Sequence, residues 1–179
     1  DTDEHVRGDA SVEGMGKLRT VFKKDGSVTA GNASGINDGA AAVVLADAGY
    51  AQRQGLSPMA RLRSYAFAGV DPAYMGEGPI PAVKKALDRA GLQVGDMDVI
   101  ESNEAFAAQA LAVAKGLGLD MEKTNPNGGA IALGHPIGCS GAFIATKAIY
   151  ELHRTGGQYA LVTMCVGGGQ GIAVVFERL

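Results

Sequence analysis

The side chains best suited to chemistry in this 179-residue sequence are few: two cysteines, three histidines and some polar groups flanked by glycines. Cys165 ends the apolar run 159–164 and faces Gly167-Gly168-Gly169-Gln170-Gly171. Glycines leave backbone N–H groups bare, which is what a developing oxyanion needs from its surroundings. A small thiol buried in a core fits the same local pattern, so taken alone Cys165 admits both readings. His135 stands between Gly134 and Pro136, just ahead of a helix. Its backbone is fixed there, which suits a positioned acid, base or hydrogen-bond donor, and equally a structural histidine. Asn103 and Glu104 fall at a strand-to-helix junction, where the simplest role for Asn103 is a helix N-cap. Gly134, Gly138 and Gly141 lack the Gly-x-Gly-x-x-Gly spacing of a dinucleotide fingerprint, and no Walker lysine follows them. Cys139, Cys165 and His135 show no regular zinc-ligand spacing, and His153 reads as a surface or boundary residue.

In layered α/β sheets, sites gather where strands end and loops begin, so the elements carrying these residues matter. A dense turn signal over 32–39 precedes the apolar stretch 40–45, which reads as a short buried strand. A helix over 47–54 should stop at Gly55, and 61–67 alternates as a strand should. Pro79-Ile80-Pro81 opens a helix whose Val83, Ala86, Leu87 and Ala90 follow helical spacing up to Gly91. Residues 98–100 predict a strand, 104–115 and 142–154 helices, and 159–164 with 172–176 a hairpin across the glycine turn. The expected fold is a layered α/β domain with helices on both faces of a mixed five-stranded sheet. Its strands are expected to be mostly parallel and closed by an antiparallel one.

Composition excludes more than it identifies. Ala (29) and Gly (27) make nearly a third of the chain, Trp is absent, and 46% of residues are hydrophobic. That length and apolar content suffice for a real core, with small residues letting backbones approach closely. No apolar run reaches the ~18 residues of a membrane span. A net charge of −3 offers no electrostatic footprint for nucleic acid. Two cysteines without a CxxC pair suit a reduced, cytoplasmic setting. The opening Asp1-Thr2-Asp3-Glu4 is charged and lacks Met, so no signal peptide is expected and the start reads as processed or truncated.

Taken together, the stretches stop being anonymous. Asn103-Glu104-Ala105-Phe106, the run Gly128-Gly129 to His135-Pro136-Ile137-Gly138, and Cys165-Val166-Gly167-Gly168-Gly169-Gln170-Gly171 resemble three signatures of the thiolase family. Thr29-Ala30-Gly31-Asn32-Ala33-Ser34-Gly35-Ile36-Asn37-Asp38-Gly39 resembles a fourth. Their order and spacing, covering essentially the whole chain, resemble the C-terminal part of an acetyl-CoA acetyltransferase or 3-ketoacyl-CoA thiolase. The resemblance implies residues 1–39 as the end of a CoA-binding loop region and 40–179 as the thiolase C-terminal domain.

By that resemblance the chain joins or cleaves 3-ketoacyl-CoA by Claisen condensation or thiolysis, through an acylated cysteine. His135 would activate that cysteine, and Asn103 would hold the water completing the first oxyanion site. Cys165 would be the acid/base for the acetyl methyl or the CoA thiol, and Gly167 would offer its backbone N–H to the second oxyanion. Arg7, Phe22, Ala30, Ser34, Met75, Ala105 and Phe106 would line the path of coenzyme A and the acyl chain. Gly14 stands where relatives can carry a serine, and Cys139 where a small residue is usual. Coenzyme A thioesters are expected as substrates, with no cofactor and no metal, in a homodimer or homotetramer of the bacterial polyhydroxyalkanoate type.

One departure from the pattern matters. The family's nucleophilic cysteine belongs to an N-terminal domain, yet no cysteine precedes Cys139 here. Family enzymes are also about twice this length. The expectation is therefore a C-terminal piece whose N-terminal half lies elsewhere. A free-standing CoA-binding half, or a partner-subunit module without chemistry, is the alternative. A hydrolase built on a Cys165–His135 dyad is the third reading.

Overall fold

The computed structural model describes residue 1 and residues 4–179. The first part of the chain is loop with two short helices, α1 (Val12–Gly16) and α2 (Ala48–Arg53). Regular structure then follows as β1 (Ala60–Gly69), α3 (Pro79–Ala90), β2 (Val99–Ser102), α4 (Ala107–Leu117), α5 (Ala130–Leu133), α6 (Ser140–Thr155), β3 (Tyr159–Val166) and β4 (Gln170–Arg178). A 3-10 segment, Pro72–Glu77, links β1 to α3.

Local chemistry accounts for these boundaries. Pro79 opens α3, whose missing N–H costs nothing in a first turn, and Gly91 closes it in the left-handed conformation at φ 69°. Residues 79, 82, 83, 86 and 87 form its buried stripe, the 3.6-residue period of a helix lying on a sheet. Asp47 caps α2 by accepting from the Tyr50 N–H.

The strands form one sheet in the order β1-β4-β3-β2. β2 pairs parallel with β3, while β4 pairs antiparallel with both β3 and β1. Hence β1, β2 and β3 run one way and only β4 is reversed. The sheet is mixed, as expected, with four strands rather than five. The reversed strand also lies inside the sheet rather than at its border. A three-residue turn, with Gly168 and Gly169 at φ 87° and 88°, lays β4 beside β3, and β1 then takes β4's free edge.

The missing fifth strand is the stretch 40–45. It is extended loop, with Val44 94% and Leu45 77% exposed. Apolar, β-branched sequence favours a strand only where a neighbouring edge accepts its hydrogen bonds, and among the described residues none pairs with it. The other elements fall within a few residues of their expected positions.

Helices cover both faces. Ile100 and Leu161 join Ala173 and Val175 under α3, together with Ala82, Val83, Ala86, Leu87 and Val113 of α4. Their strand neighbours Val99, Ala160 and Val162 point the other way, against Ile144, Ala148 and Leu152 of α6. This alternation is the period-2 signature of strands buried on both sides. No helix among the described residues is long and apolar enough to cross a membrane.

Candidate active site

Because β1, β2 and β3 share a direction, the residues following each emerge at one end of the sheet. Asn103 follows β2, and its backbone N–H extends the ladder to the Thr163 carbonyl at 3.0 Å. Cys165, the penultimate residue of β3, lies opposite Gly171 of β4. Met75 follows β1 on the 3-10 segment, half-buried, and that segment packs on α4 where Gly76 meets the Gln109 side chain.

His135 reaches this end on the glycine loop before α6. Its Nδ1 lies 2.7 Å from the Ser140 hydroxyl, and that hydroxyl is 3.0 Å from the Pro136 carbonyl. A hydroxyl has one proton to give, and a carbonyl can only accept. Ser140 therefore donates to Pro136 and accepts from His135 Nδ1–H. The proton is thus assigned to Nδ1, leaving the lone pair on Nε2, which faces the Asn103 amide at 3.4 Å. Burial lowers the imidazole pKa below its usual value, so the neutral, base-competent form prevails at neutral pH.

The loop carrying His135 is shaped by side chains packed into its glycine positions. A Cβ on Gly129 would overlap the Glu104 carboxylate, and one on Gly134, at φ 99°, would overlap the Asn37 amide. Glu104 accepts from the Ile131 N–H at 3.2 Å and from Asn125 Nδ2 at 3.2 Å. The helix-cap role expected around Asn103 is therefore not what these residues do. α4 begins after Phe106, whose side chain makes no capping bond, while Asn103 turns to His135 and Glu104 to the glycine loop. The physical reason is burial: Asn103 is 3% exposed and finds its partner in the core rather than at a helix end.

The fourth motif docks beside this cluster. Ser34 donates from both its backbone N–H and its hydroxyl to the Ala105 carbonyl, each at 3.1 Å. The Asn32 carbonyl accepts from the Ala107 N–H at 2.8 Å, and the Gly35 carbonyl from the His135 N–H at 3.1 Å. Phe22 meets Phe106 edge-to-face at 5.9 Å between centroids. Ala30 sits exposed in the turn 29–32. Arg7 stays in solvent, paired with Asp9 at 3.5 Å, and is not drawn into the cluster.

Cys165 is 8% exposed. Burial pushes its thiol pKa up, with its own backbone N–H pulling the other way. Among the described residues no hydrogen bond joins Cys165 to His135, so the direct contact of a thiol–imidazole dyad is missing. Gly167 opens the turn after β3, is exposed, and a Cβ there would meet nothing. The described residues hold no cluster of three metal-ligating side chains. Sequence reasoning missed Ser140, Asn37 and Asn125. The last sits at φ 50°, with its amide bonded to both the N–H and the carbonyl of Ser102. Its signal was the turn cluster Asn125-Pro126-Asn127-Gly128-Gly129.

A neutral, oriented imidazole, an amide and a buried thiol at one sheet end have the chemistry that proton transfer requires. Comparison with known proteins gives that site its family. The model for the C-terminal domain of thiolase matches residues 56–178, and that for the thiolase N-terminal domain matches residues 1–49. The chain belongs to the thiolase family. It is 67% identical over 180 residues to beta-ketothiolase BktB of Cupriavidus necator, covering 100% of this chain and 46% of that protein. It is 58% identical over 177 residues to the acetyl-CoA acetyltransferase of Escherichia coli strain K12, covering 99% and 45%. The crystal structure of human mitochondrial 3-ketoacyl-CoA thiolase in complex with CoA superposes with a TM-score of 0.96 at 53% identity, covering 99% of this chain and 45% of that one. The Bacillus anthracis acetyl-CoA acetyltransferase gives a TM-score of 0.96 at 52% identity, with 99% and 45% covered. The chain spans about half the length of the relatives it matches.

Proposed function

We propose that this chain supplies the acid/base half of an acyl-CoA C-acyltransferase that forms or cleaves 3-ketoacyl-CoA such as acetoacetyl-CoA. The rest of the thiolase N-terminal domain, whose model already matches residues 1–49 here, carries the cysteine that is acylated. The observation carrying this reading is the orientation of His135, with its proton on Nδ1 toward Ser140 and its lone pair on Nε2 beside Asn103.

In the proposed reaction His135 Nε2 takes the proton of the partner cysteine thiol, whose sulfur attacks the thioester carbonyl of the first acyl-CoA. Asn103 orients the water that stabilises the resulting oxyanion, and coenzyme A leaves as its thiol with the proton of Cys165, which remains as the thiolate. The Cys165 thiolate then removes a proton from the methyl of a second acetyl-CoA. The raised thiol pKa makes that thiolate a stronger base once formed. The Gly167 N–H faces the oxyanion of the second site. The enolate carbon attacks the acyl-cysteine, releasing the 3-ketoacyl-CoA and the cysteine thiolate, which takes its proton back from His135. Thiolysis is the same sequence reversed, with Cys165 deprotonating the CoA thiol. The roles of CoA-path residues fall to Ser34, Ala105, Phe106, Phe22, Ala30, Met75 and Arg7. Every step is acyl or proton transfer, so no cofactor is invoked. A homodimer or homotetramer in the cytoplasm completes the proposal.

The exposed Ile36, Val43, Val44 and Leu45 support the same reading. They lie within the stretch that the N-terminal domain model matches, and a covering half would bury them. The test fuses this chain to the N-terminal half of the Cupriavidus necator relative and follows CoA-dependent cleavage of acetoacetyl-CoA. The fusion should turn over and the chain alone should not. An inactive, folded fusion that still binds CoA would favour the non-catalytic binding half, and turnover by the isolated chain would overturn the need for a second half.

A further inference from the structure

Helix α6 holds the glycine loop at three places. At the loop's far end Ser140 bonds His135 and the Pro136 carbonyl. Near its start, Lys147 Nζ donates to the Gly128 carbonyl at 2.6 Å. One turn further along α6, Glu151 accepts from Asn127 Nδ2 at 2.9 Å. Ser140 and Lys147 are seven residues apart, two helical turns, and so face the same side of α6. The stretch between their anchor points, 128 to 135, contains the whole of α5 and ends on the imidazole.

Lys147 is itself held from the sheet. Its Nζ lies 3.0 Å from Glu101 Oε2 in β2, a carboxylate 1% exposed. Glu101 and Asn103 are two residues apart on the strand and share its α6 face with Val99. That face thus passes from an apolar contact, through an ion pair, to the amide beside His135. Glu101, Asn103, Gly129, Ala130 and Lys147 also line a cavity of about 10 Å³.

A lone surface lysine would not need this arrangement. Burying a carboxylate beside an ammonium costs desolvation of both, and an apolar pair of equal size would often be at least as stable. The pair is therefore poorly explained by stability. What an apolar pair could not do is grip a backbone carbonyl.

We infer that Lys147, with Glu101 as its buried counter-ion, is a positioning residue for His135, clamping the start of the glycine loop to α6 as Ser140 clamps its end. The inference rests on the acyltransferase reading above. A loop freed at Gly128 lets the imidazole drift, and a displacement of about 1 Å at a reacting group can cost on the order of a hundredfold in rate.

The experiment uses the fusion with the N-terminal half and compares the parent with Glu101→Leu/Lys147→Met. Removing both charges avoids stranding either one, so the double variant should keep its cooperative thermal transition. It should also keep KM for acetoacetyl-CoA within about twofold while losing at least about tenfold in kcat. A merely structural pair would give the opposite pattern, a lowered melting temperature with kcat preserved. If the double variant does not fold, Lys147→Met alone replaces it, because Glu101 can take up a proton, and the same kcat loss is required. An active parent whose variant keeps more than half its kcat overturns the inference and leaves the acyltransferase reading standing. An inactive parent overturns both.

Discussion

The two parts of this chain solve the folding problem differently. From Ala60 onward, α3 and α6 sandwich a four-stranded sheet between two apolar clusters. Before residue 60, Ala51 alone among the described residues belongs to the buried apolar set, while Ile36, Val43, Val44 and Leu45 face solvent. Yet the first part is not loosely attached where the chemistry lies. Ser34, Gly35 and Asn32 bond directly to the backbone of Ala105, His135 and Ala107. The lesson is that a segment can be ordered by a site without having a core of its own.

Catalysis should separate the two parts most sharply. In the active fusion, His135→Ala should lower kcat by about 10³-fold or more, as loss of a positioned general base does. Phe22→Ala should act mainly on KM for acyl-CoA. A large kcat effect from Phe22 would break the distinction. Rapid-quench mass analysis sharpens it further: Cys165→Ala should still form the acyl-cysteine but fail to condense it, whereas His135→Ala should fail at acylation.

Stability is the next contrast. Leu152→Ala, fully buried under the sheet, should cost about 2–5 kcal/mol in denaturant unfolding. In the isolated chain Val44→Ala should change stability by less than about 0.5 kcal/mol. In the fusion Val44→Ala should become clearly destabilising, and equal small effects in both contexts would remove the case for a covering half.

Gly134→Ala tests the seam between the parts. The positive φ and the overlap with Asn37 should together cost about 1–3 kcal/mol and depress kcat. If Asn37→Gly in the same chain restores neither, the seam is not where the strain lies.

The last contrast concerns pH. The Arg154 and Asn127 hydrogen bonds to Glu151 pull its carboxyl down to about 2. A folded pKa below the unfolded value means stabilisation that is present above about 4.5 and lost as pH falls toward 2. Acid titration of the melting temperature should show this loss in the parent and not in Glu151→Gln.

How much of this was legible beforehand depended on whether the determining contacts were local. Helix α3 was readable because its stripe, its opening proline and its closing Gly91 all lie within one stretch of sequence. The direction of each strand was readable from the helix or turn joining it to the next. The place of β4 inside the sheet was not, because it depends on β1 pairing with a strand more than a hundred residues later. Residues 40–45 misled for the converse reason: their composition is that of a strand, but strandhood is conferred by a neighbour. At the site, Asn103, His135 and Cys165 stood out by type and glycine context. Ser140, Asn37 and Lys147 did not, since a serine, an asparagine and a helical lysine acquire their roles only from what folding brings to them.

Strand β2 has a consequence beyond the site it serves. It is only four residues long, and a slip of one residue against β3 would send every one of its side chains to the opposite face. Such a slip would turn the Glu101 carboxylate into the apolar layer beneath α3 and carry Asn103 away from the imidazole. The ionic contact with α6 thus weighs against a misaligned register, since a slipped strand would leave a buried charge without its counter-ion.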